Sequence, residues 1–174
     1  MHTQPQVTNP VLPGGSKVSN VMVVGDAPGF FEDLYNQPFV SKSGILLKQC
    51  LHRVGLDTPY FTNVVKCRPV PDQEPDYLAV ETCASWLAKE IDLIKPKVII
   101  TVGALASRLF LTNKNFGVHL KDFKVSKYRG KVYDTRGAYV VPTWHPGYVI
   151  RNRSAAFDLI QDLKLARGII NKIK

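Results

Sequence analysis

The chain has 174 residues, enough for one domain with a sizeable hydrophobic core. Hydrophobic residues make up 45% of the sequence, which predicts a globular fold and excludes a disordered chain. A formal net charge of +9 favours a polyanionic partner. Since the sequence has neither a bilayer-length apolar run nor the apolar core of a secretion signal, we expect a cytoplasmic protein, at the nucleoid or inside a host cell, that is not secreted.

Proline, glycine, asparagine and threonine are frequent in residues 1–17, which predicts an irregular N-terminal arm before a single domain over residues 18–174. The patterns of apolar residues then predict strands and helices in alternation. The predicted strands are 20–25, 60–66, 97–103 and 139–144, and the predicted helices are 43–54, 74 or 76 to 94, 104–111 and 155–173. Residues 113–137 are less regular, with strand character near 131–133.

Uniformly apolar strands that alternate with helices predict a parallel sheet that is covered on both faces. We therefore expect a three-layer α/β/α fold with a central four-stranded parallel sheet flanked by helices. In such sheets the ligand site lies beyond the carboxyl ends of the strands. Four polar or glycine-containing segments fall at such ends, namely 25–33, 37–44, 62–69 and 142–148.

Together these segments resemble the motifs of family 4 uracil-DNA glycosylases: Gly25-Asp26-Ala27-Pro28-Gly29 with Glu32 and Asp33, then Pro38-Phe39-Val40, then Thr62-Asn63-Val64-Val65-Lys66-Cys67-Arg68-Pro69, then Thr143 with His145-Pro146. One such match is weak, but all four occur in order at suitable separations, and the resemblance runs from about Pro10 to Asp162. It implies a monofunctional glycosylase of base excision repair, which hydrolyses the N-glycosidic bond of a flipped-out uracil in DNA.

The chemistry of that reaction indicates a role for each matched residue. A flipped base needs an aromatic surface, which the resemblance places at Phe39. A side-chain amide complements the donor and acceptor on the edge of uracil, and Asn63 is the matching residue. His145 matches the donor that stabilises the departing uracil anion. Gly25 and Ala27 are predicted to lie against the base.

Asp26 is the predicted carboxylate that stabilises the sugar cation or orients water. The family usually has glutamate at this position, so the reach of the side chain is shorter by one methylene, roughly 1.5 Å, which puts the rate in doubt. In the best-known branch of glycosylases the acid lies one position later, at Ala27 in this chain. Glu32 and Asp33 match the family but serve equally well to cap or brace the loop.

The remaining matches predict contacts with the DNA backbone, through glycine amides and through cationic or small side chains. The predicted DNA-binding residues are Pro28, Gly29, Lys66, Arg68, Gly103, Ser107, Pro146 and Arg151. The segment from Tyr148 to Arg151 resembles the wedge loop that fills the gap left by a flipped base. The expected substrate is uracil-containing DNA, single- or double-stranded, bound by a monomer that has a replication or repair protein as a further candidate partner.

The family implies a four-iron cluster held by four cysteines, and here Cys67 and Cys83 fall at only two of the four positions. Two thiolates do not hold such a cluster, and Cys50 matches neither missing position. The sequence therefore predicts no cluster, no other metal and no cofactor.

Two further hypotheses stay open. Asp26 and the missing cysteines favour a binding module of a replication or repair machine that kept the fold and lost the rate. Gly29 is small where another branch has a bulky residue that excludes a methyl group, which favours a glycosylase for a 5-substituted uracil.

Overall fold

The computed structural model describes residues 9–69, 74–112, 123–135 and 137–173. They form the strands β1 (Gly14–Gly15), β2 (Val21–Gly25), β3 (Tyr60–Asn63), β4 (Val98–Val102), β5 (Tyr133–Thr135) and β6 (Ala138–Thr143). The helices are α1 (Phe30–Tyr35), α2 (Lys42–Arg53), α3 (Tyr77–Ile94), α4 (Ala104–Leu111), α5 (Pro146–Arg151) and α6 (Ala155–Ile173), with a 3-10 turn at Val125–Lys127.

The six strands form one sheet in the order β1-β3-β2-β4-β6-β5. The four central strands are parallel, with Gly25 of β2 beside Asn63 of β3 on one side and Val102 of β4 on the other. These strands therefore end at the same edge of the sheet. The predicted four-stranded parallel core is confirmed.

Two short antiparallel strands extend the predicted sheet at its edges. Strand β1 lies within the segment predicted to be irregular, where Gly14 and Gly15 pair with Phe61 and Tyr60. A strand of two glycines has no side-chain pattern from which it could be predicted. Strand β5 lies close to the strand character expected near residue 132, while the predictions for residues 113–122 fall outside the described residues.

Both faces of the sheet are covered, since the central strands β2 and β4 are buried along their whole length. Alternate residues point to opposite faces. Val23 and Ile100 pack with α2 and α6 on one face, and Val24 and Ile99 pack with α3 and α4 on the other. This arrangement gives the expected three layers. In the described part of the chain, every helix is too short or too polar to cross a membrane.

Two short helices at the sheet edge were not predicted. Helix α1 has no apolar periodicity, since Glu32 is its one buried residue. Helix α5 occupies the segment predicted to be a wedge loop, and it begins with Pro146 in its first turn, where a missing N–H costs nothing. The segment 148–151, predicted to be a wedge loop, is therefore helical, which corrects the prediction of a loop.

Candidate active site

A cavity of about 170 Å³ opens at the carboxyl ends of β2, β3 and β6. It contains three of the motif residues whose chemistry suits a nucleobase: an aromatic ring, a carboxamide and an imidazole. These side chains are far apart in sequence and meet because parallel strands end at one edge. The cavity is lined by Ala27, Gly29, Phe30, Glu32, Phe39, Ser41, Ser43, Asn63, His145 and Pro146.

Phe39 forms one wall of this cavity on a strained backbone. Its φ is 56°, a left-handed conformation that is uncommon for a bulky residue. Gly44 allows this backbone conformation of Phe39, since a Cβ at position 44 would overlap the Phe39 backbone. The ring is 7% exposed and lies 5.5 Å, centroid to centroid, from the ring of Phe61. The ring is thus fixed in place before any ligand binds.

Glu32 holds the loop that carries Phe39. Its Oε1 accepts hydrogen bonds from the amides of Val40 and Ser41, at 2.9 and 2.8 Å. Burial by itself raises the pKa of Glu32, but the bonds from Ser41 and Val40 outweigh it and keep the pKa below its ordinary value. Through these two backbone amides the buried carboxylate braces the loop that carries Phe39.

Asn63 is the last residue of β3 and is 6% exposed. Its backbone carbonyl accepts a hydrogen bond from Lys66 Nζ at 2.8 Å, whereas no described residue is hydrogen-bonded to its side-chain amide. The carboxamide therefore keeps both its donor and its acceptor for a ligand in the cavity. Gly25 permits this position, because a Cβ there would clash with Asn63 Oδ1 and lie 2.8 Å from Phe39 Cζ.

Replacing Gly25 with alanine is expected to push the Asn63 amide and the Phe39 ring out of place together. A misplacement of about 1 Å in a reacting site costs on the order of a hundredfold in rate, so we expect kcat/KM on a uracil-containing oligonucleotide to fall by that factor. Steady-state kinetics measure the effect. A Gly168→Ala variant is the control, because a Cβ there meets no atom within 4 Å and its backbone φ is not positive; equal losses in both variants would contradict the prediction.

His145 follows β6 and caps α5. Its Nδ1 accepts a hydrogen bond from the amide of Gly147 at 3.1 Å. A ring nitrogen that accepts from an N–H carries no proton, so the proton of the neutral ring is on Nε2. Burial and the charge of Arg151 lower the pKa of His145, and Glu32 raises it by less. The cavity is therefore lined by a neutral imidazole with a fixed Nε2–H donor.

Asp26 does not line this cavity. Its Oδ1 accepts a hydrogen bond from the amide of Ala106 at 2.8 Å, and the amides of Leu105 and Ala104 contact it as well. The carboxylate thus occupies the N-terminus of α4, where free amides and the helix dipole favour an anion. Both oxygens of the carboxylate lie close to Gly103 and α4, whereas the sequence predicts that Asp26 faces the sugar.

The ionisation of Asp26 is expected to make stability depend on pH. Burial raises its pKa from 3.8 to about 6, although the α4 amides oppose this. A raised carboxyl pKa means that ionisation penalises the fold; the penalty is absent below pH 3.8 and complete above about pH 6. Denaturant unfolding should show wild type losing up to about 3 kcal/mol relative to Asp26→Asn over that interval. A difference that is constant with pH would contradict this expectation.

Lys66 was predicted to contact DNA phosphate, but its side chain is engaged within the protein. The side chain is 8% exposed, and its Nζ donates to Thr62 Oγ1 at 2.7 Å and to the Asn63 carbonyl at 2.8 Å. Glu90 of α3 also forms an ion pair with Lys66, with its Oε1 2.9 Å from Nζ. Lys66 is thus a buried brace behind Asn63, and its charge is not available to a phosphate.

Ser107 and Gly103 were also predicted to contact DNA, but both are buried and hydrogen-bonded within the protein. Ser107 is fully buried, with its Oγ 3.0 Å from Thr101 Oγ1. The amide of Gly103 donates to the Thr143 carbonyl at 3.2 Å. Its φ of 111° and its contact with the Asp26 carboxylate require glycine there. Both residues join α4 to the sheet.

The other predicted DNA contacts lie at or near the cavity. Gly29 and Pro146 line it, while Pro28 is buried within the first motif. Arg68 lies with its guanidinium carbon 5.0 Å from the ring centroid of Phe30, which is another lining residue. Arg151 is exposed and close enough to His145 to affect its pKa.

Sequence reasoning missed Phe30, Ser41 and Ser43 as lining residues. The hydroxyl oxygens of the two serines lie 3.0 Å apart at the wall of the cavity. Phe30 falls at a variable position of the first motif, so a motif comparison does not single it out. An aromatic pair in a helix without apolar periodicity was the available signal.

The cysteines do not fit a four-iron cluster. The sequence contains three, and Cys50 packs on the α2 face of the sheet whereas Cys83 packs on the α3 face. Burial, followed by Cys83 and Asp33, raises the pKa of Cys67, which favours a protonated thiol over a metal-binding thiolate. Among the described residues, no group of three or more His, Cys, Asp or Glu side chains is arranged to hold a metal ion.

Comparisons with known proteins agree with this geometry. The family model of the uracil DNA glycosylase superfamily matches residues 13–164. A type-4 uracil-DNA glycosylase of Thermotoga maritima is 34% identical over 170 residues, which cover 95% of this chain and 85% of the relative. A type-4 uracil-DNA glycosylase of Archaeoglobus fulgidus is 35% identical over 149 residues, which cover 82% and 73%. The chain belongs to the uracil-DNA glycosylase superfamily.

One relative is of a different kind. A DNA polymerase of Bacillus phage SP01 is 28% identical over 164 residues, which are 92% of this chain but only 17% of the polymerase. The whole domain therefore resembles one part of a much longer protein.

Proposed function

We propose that the protein is a uracil-DNA glycosylase, a hydrolase that cleaves the N-glycosidic bond of a flipped-out uracil in DNA. One observation carries the proposal: Phe39, Asn63 and His145 line the same cavity. Those three side chains offer what uracil needs, namely a flat apolar surface, a paired donor and acceptor, and a second donor.

In this proposal the side-chain amide of Asn63, which is hydrogen-bonded to no described residue, recognises the base. Its NH₂ group donates to the O4 carbonyl of uracil while its oxygen accepts from N3–H. Cytosine has a donor in place of the carbonyl and an acceptor in place of N3–H, so both pairings are lost. Leaving two buried polar groups unpaired costs several kcal/mol, which is enough to reject the wrong base.

Hydrolysis breaks the bond between C1′ of the sugar and N1 of uracil, and the bonding electrons leave with the base. The Nε2–H of His145 donates to the carbonyl on which this negative charge collects. A neutral donor suits the step, because its hydrogen bond strengthens as the charge develops. The oxygen of water then bonds to C1′ and its proton is released, and no lyase step follows.

The function is tested with an oligonucleotide that contains a single uracil. Incubation with the protein followed by alkali should break the strand at that position, and free uracil should appear in equal amount. Oligonucleotides that carry cytosine or thymine at the same place are the matched controls. Intact strands after incubation with excess protein would overturn the proposal.

A second candidate is a binding module that kept the cavity and lost the rate. The position of Asp26 favours it, since this carboxylate binds the α4 amides and does not line the cavity. The likeness to part of a phage polymerase agrees with such a module. Selective binding of uracil-containing DNA without uracil release, unchanged by Asp26→Ala, would establish this alternative.

A third candidate, a glycosylase for a 5-substituted uracil, is favoured by Gly29. This residue lines the cavity without a side chain that would exclude a substituent. Oligonucleotides with thymine or a larger 5-substituted uracil distinguish it from the first candidate.

The proposal includes no iron–sulfur cluster. Protein purified without oxygen should contain no stoichiometric iron and should show no absorbance band near 400 nm beyond the protein background. Iron at about four atoms per chain would refute it. The protein is further proposed to act as a monomer on DNA in the cytoplasm, at the nucleoid or inside a host cell, with a replication or repair protein as a candidate partner.

A further inference from the structure

Helix α1 has the reverse of the usual burial pattern. Its one buried residue is Glu32, while its apolar side chains point to solvent. The exposed fractions are 54% for Phe30, 47% for Phe31, 60% for Leu34 and 61% for Tyr35. An isolated exposed aromatic needs no explanation, but a contiguous apolar surface usually binds something.

This surface continues into the candidate active site, because Phe30 belongs both to α1 and to the wall of the cavity. The rings of Phe30 and Phe31 contact each other edge to face at 5.3 Å. A group that binds immediately outside the cavity, on the side of α1, therefore contacts two aromatic rings. In a substrate whose uracil occupies the cavity, that neighbour is the adjoining nucleotide.

The chemistry around the rings suits a nucleic acid. Arg68 lies over the ring of Phe30 at 5.0 Å. Aromatic rings beside cationic groups are the usual construction of surfaces that bind single-stranded DNA, since each base stacks on a ring and each phosphate requires a positive charge. The net charge of +9 acts in the same direction.

We propose that Phe30 and Phe31 form a stacking platform for an unpaired base next to the flipped uracil, so that the protein prefers single-stranded DNA. The proposal rests on the proposed function for the position of the uracil. A neighbouring base in a duplex is already stacked and paired and gains little from the platform, whereas an unpaired base gains a stacking partner.

The test measures binding, so that it does not depend on turnover. The probes are short, fluorescently labelled single strands with one uracil analogue whose glycosidic bond resists hydrolysis. One probe has ordinary bases on both sides of the analogue, and the other has abasic spacers there. Removing the flanking bases should weaken binding to wild type by about five- to a hundredfold. The Phe30→Ala/Phe31→Ala double variant should bind both probes with nearly equal affinity.

Trp86→Ala is the matched control. Trp86 lies on α3, is 58% exposed and has Lys89 Nζ 4.9 Å from its ring centroid. It therefore has the same pairing of an aromatic ring with a cation as Phe30 and Arg68, but it does not line the cavity. This variant should respond to the spacers as wild type does. Phe31→Ala alone should lose part of the response, which separates the platform from the cavity wall.

The inference is overturned if wild type binds both probes equally, or if the double variant keeps the wild-type response; either result would leave α1 as a surface for a protein partner. Uracil release by wild type is measured separately. Release without any effect of the flanking bases refutes only the platform, whereas failure to release uracil or to prefer it over thymine refutes the proposed function.

Discussion

His145→Ala should lower kcat on a uracil-containing oligonucleotide by about 10²–10³-fold, because one preorganised donor to a developing anion contributes that much. KM should change little, since the hydrogen bond gains most of its strength after the bond to the sugar begins to break. Single-turnover kinetics with enzyme in excess measure the chemical step directly. The neutral ring and the fixed Nε2–H are the structural basis for this size of effect.

Loss of the α5 cap is a separate consequence of the same substitution. The Nδ1 of His145 accepts from the Gly147 amide, and removal of such a cap costs about 1 kcal/mol of stability. His145→Asn is the control, because asparagine is a good capping residue but has a shorter reach than imidazole. Both variants should lose kcat while the asparagine variant keeps most of its stability. Full activity in His145→Asn would show that His145 acts only as a cap.

Asn63→Ala should lower kcat/KM for uracil by about 10²–10⁴-fold, because both polar pairings with the base disappear. Stability should hardly change, since no described residue is hydrogen-bonded to the side-chain amide. This combination separates a ligand-binding residue from a structural one. Steady-state kinetics and denaturant unfolding of the same preparation measure the two quantities.

Asn20→Ala is the matched control for that experiment. Asn20 is an exposed asparagine just before β2, at the opposite end of the sheet from the cavity. It should leave both kcat/KM and stability unchanged. If Asn63→Ala retained wild-type activity, a base-reading role for Asn63 would be excluded.

The convergence of the site could be predicted because it depends on topology and little else. Apolar runs that end in glycine or polar residues predict parallel strands, and the ends of such strands meet at one edge. Gly25, Asn63 and His145 could be placed there without coordinates. The long helices α3 and α6 were equally accessible, since their apolar periodicity extends over several turns.

The direction of individual polar side chains could not be predicted in the same way. Lys66 and Ser107 are of residue types that usually lie at the surface, yet contacts with Glu90 and Thr101 hold them in the interior. Such partners lie on other elements, so only the packed structure reveals them. Asp26 belongs to the same group, because its amide donor Ala106 on α4 is 80 positions away in sequence.

The central claim is that one cavity joins an aromatic ring, an amide and an imidazole into a uracil site. Direct measurement of free uracil, by mass spectrometry after incubation with a single-uracil strand, tests it without assumptions about strand cleavage. The account predicts one uracil released per strand by wild type and little by the Asn63→Ala and His145→Ala variants over the same time. Equal release by all three proteins, or no release by wild type in excess, would contradict it.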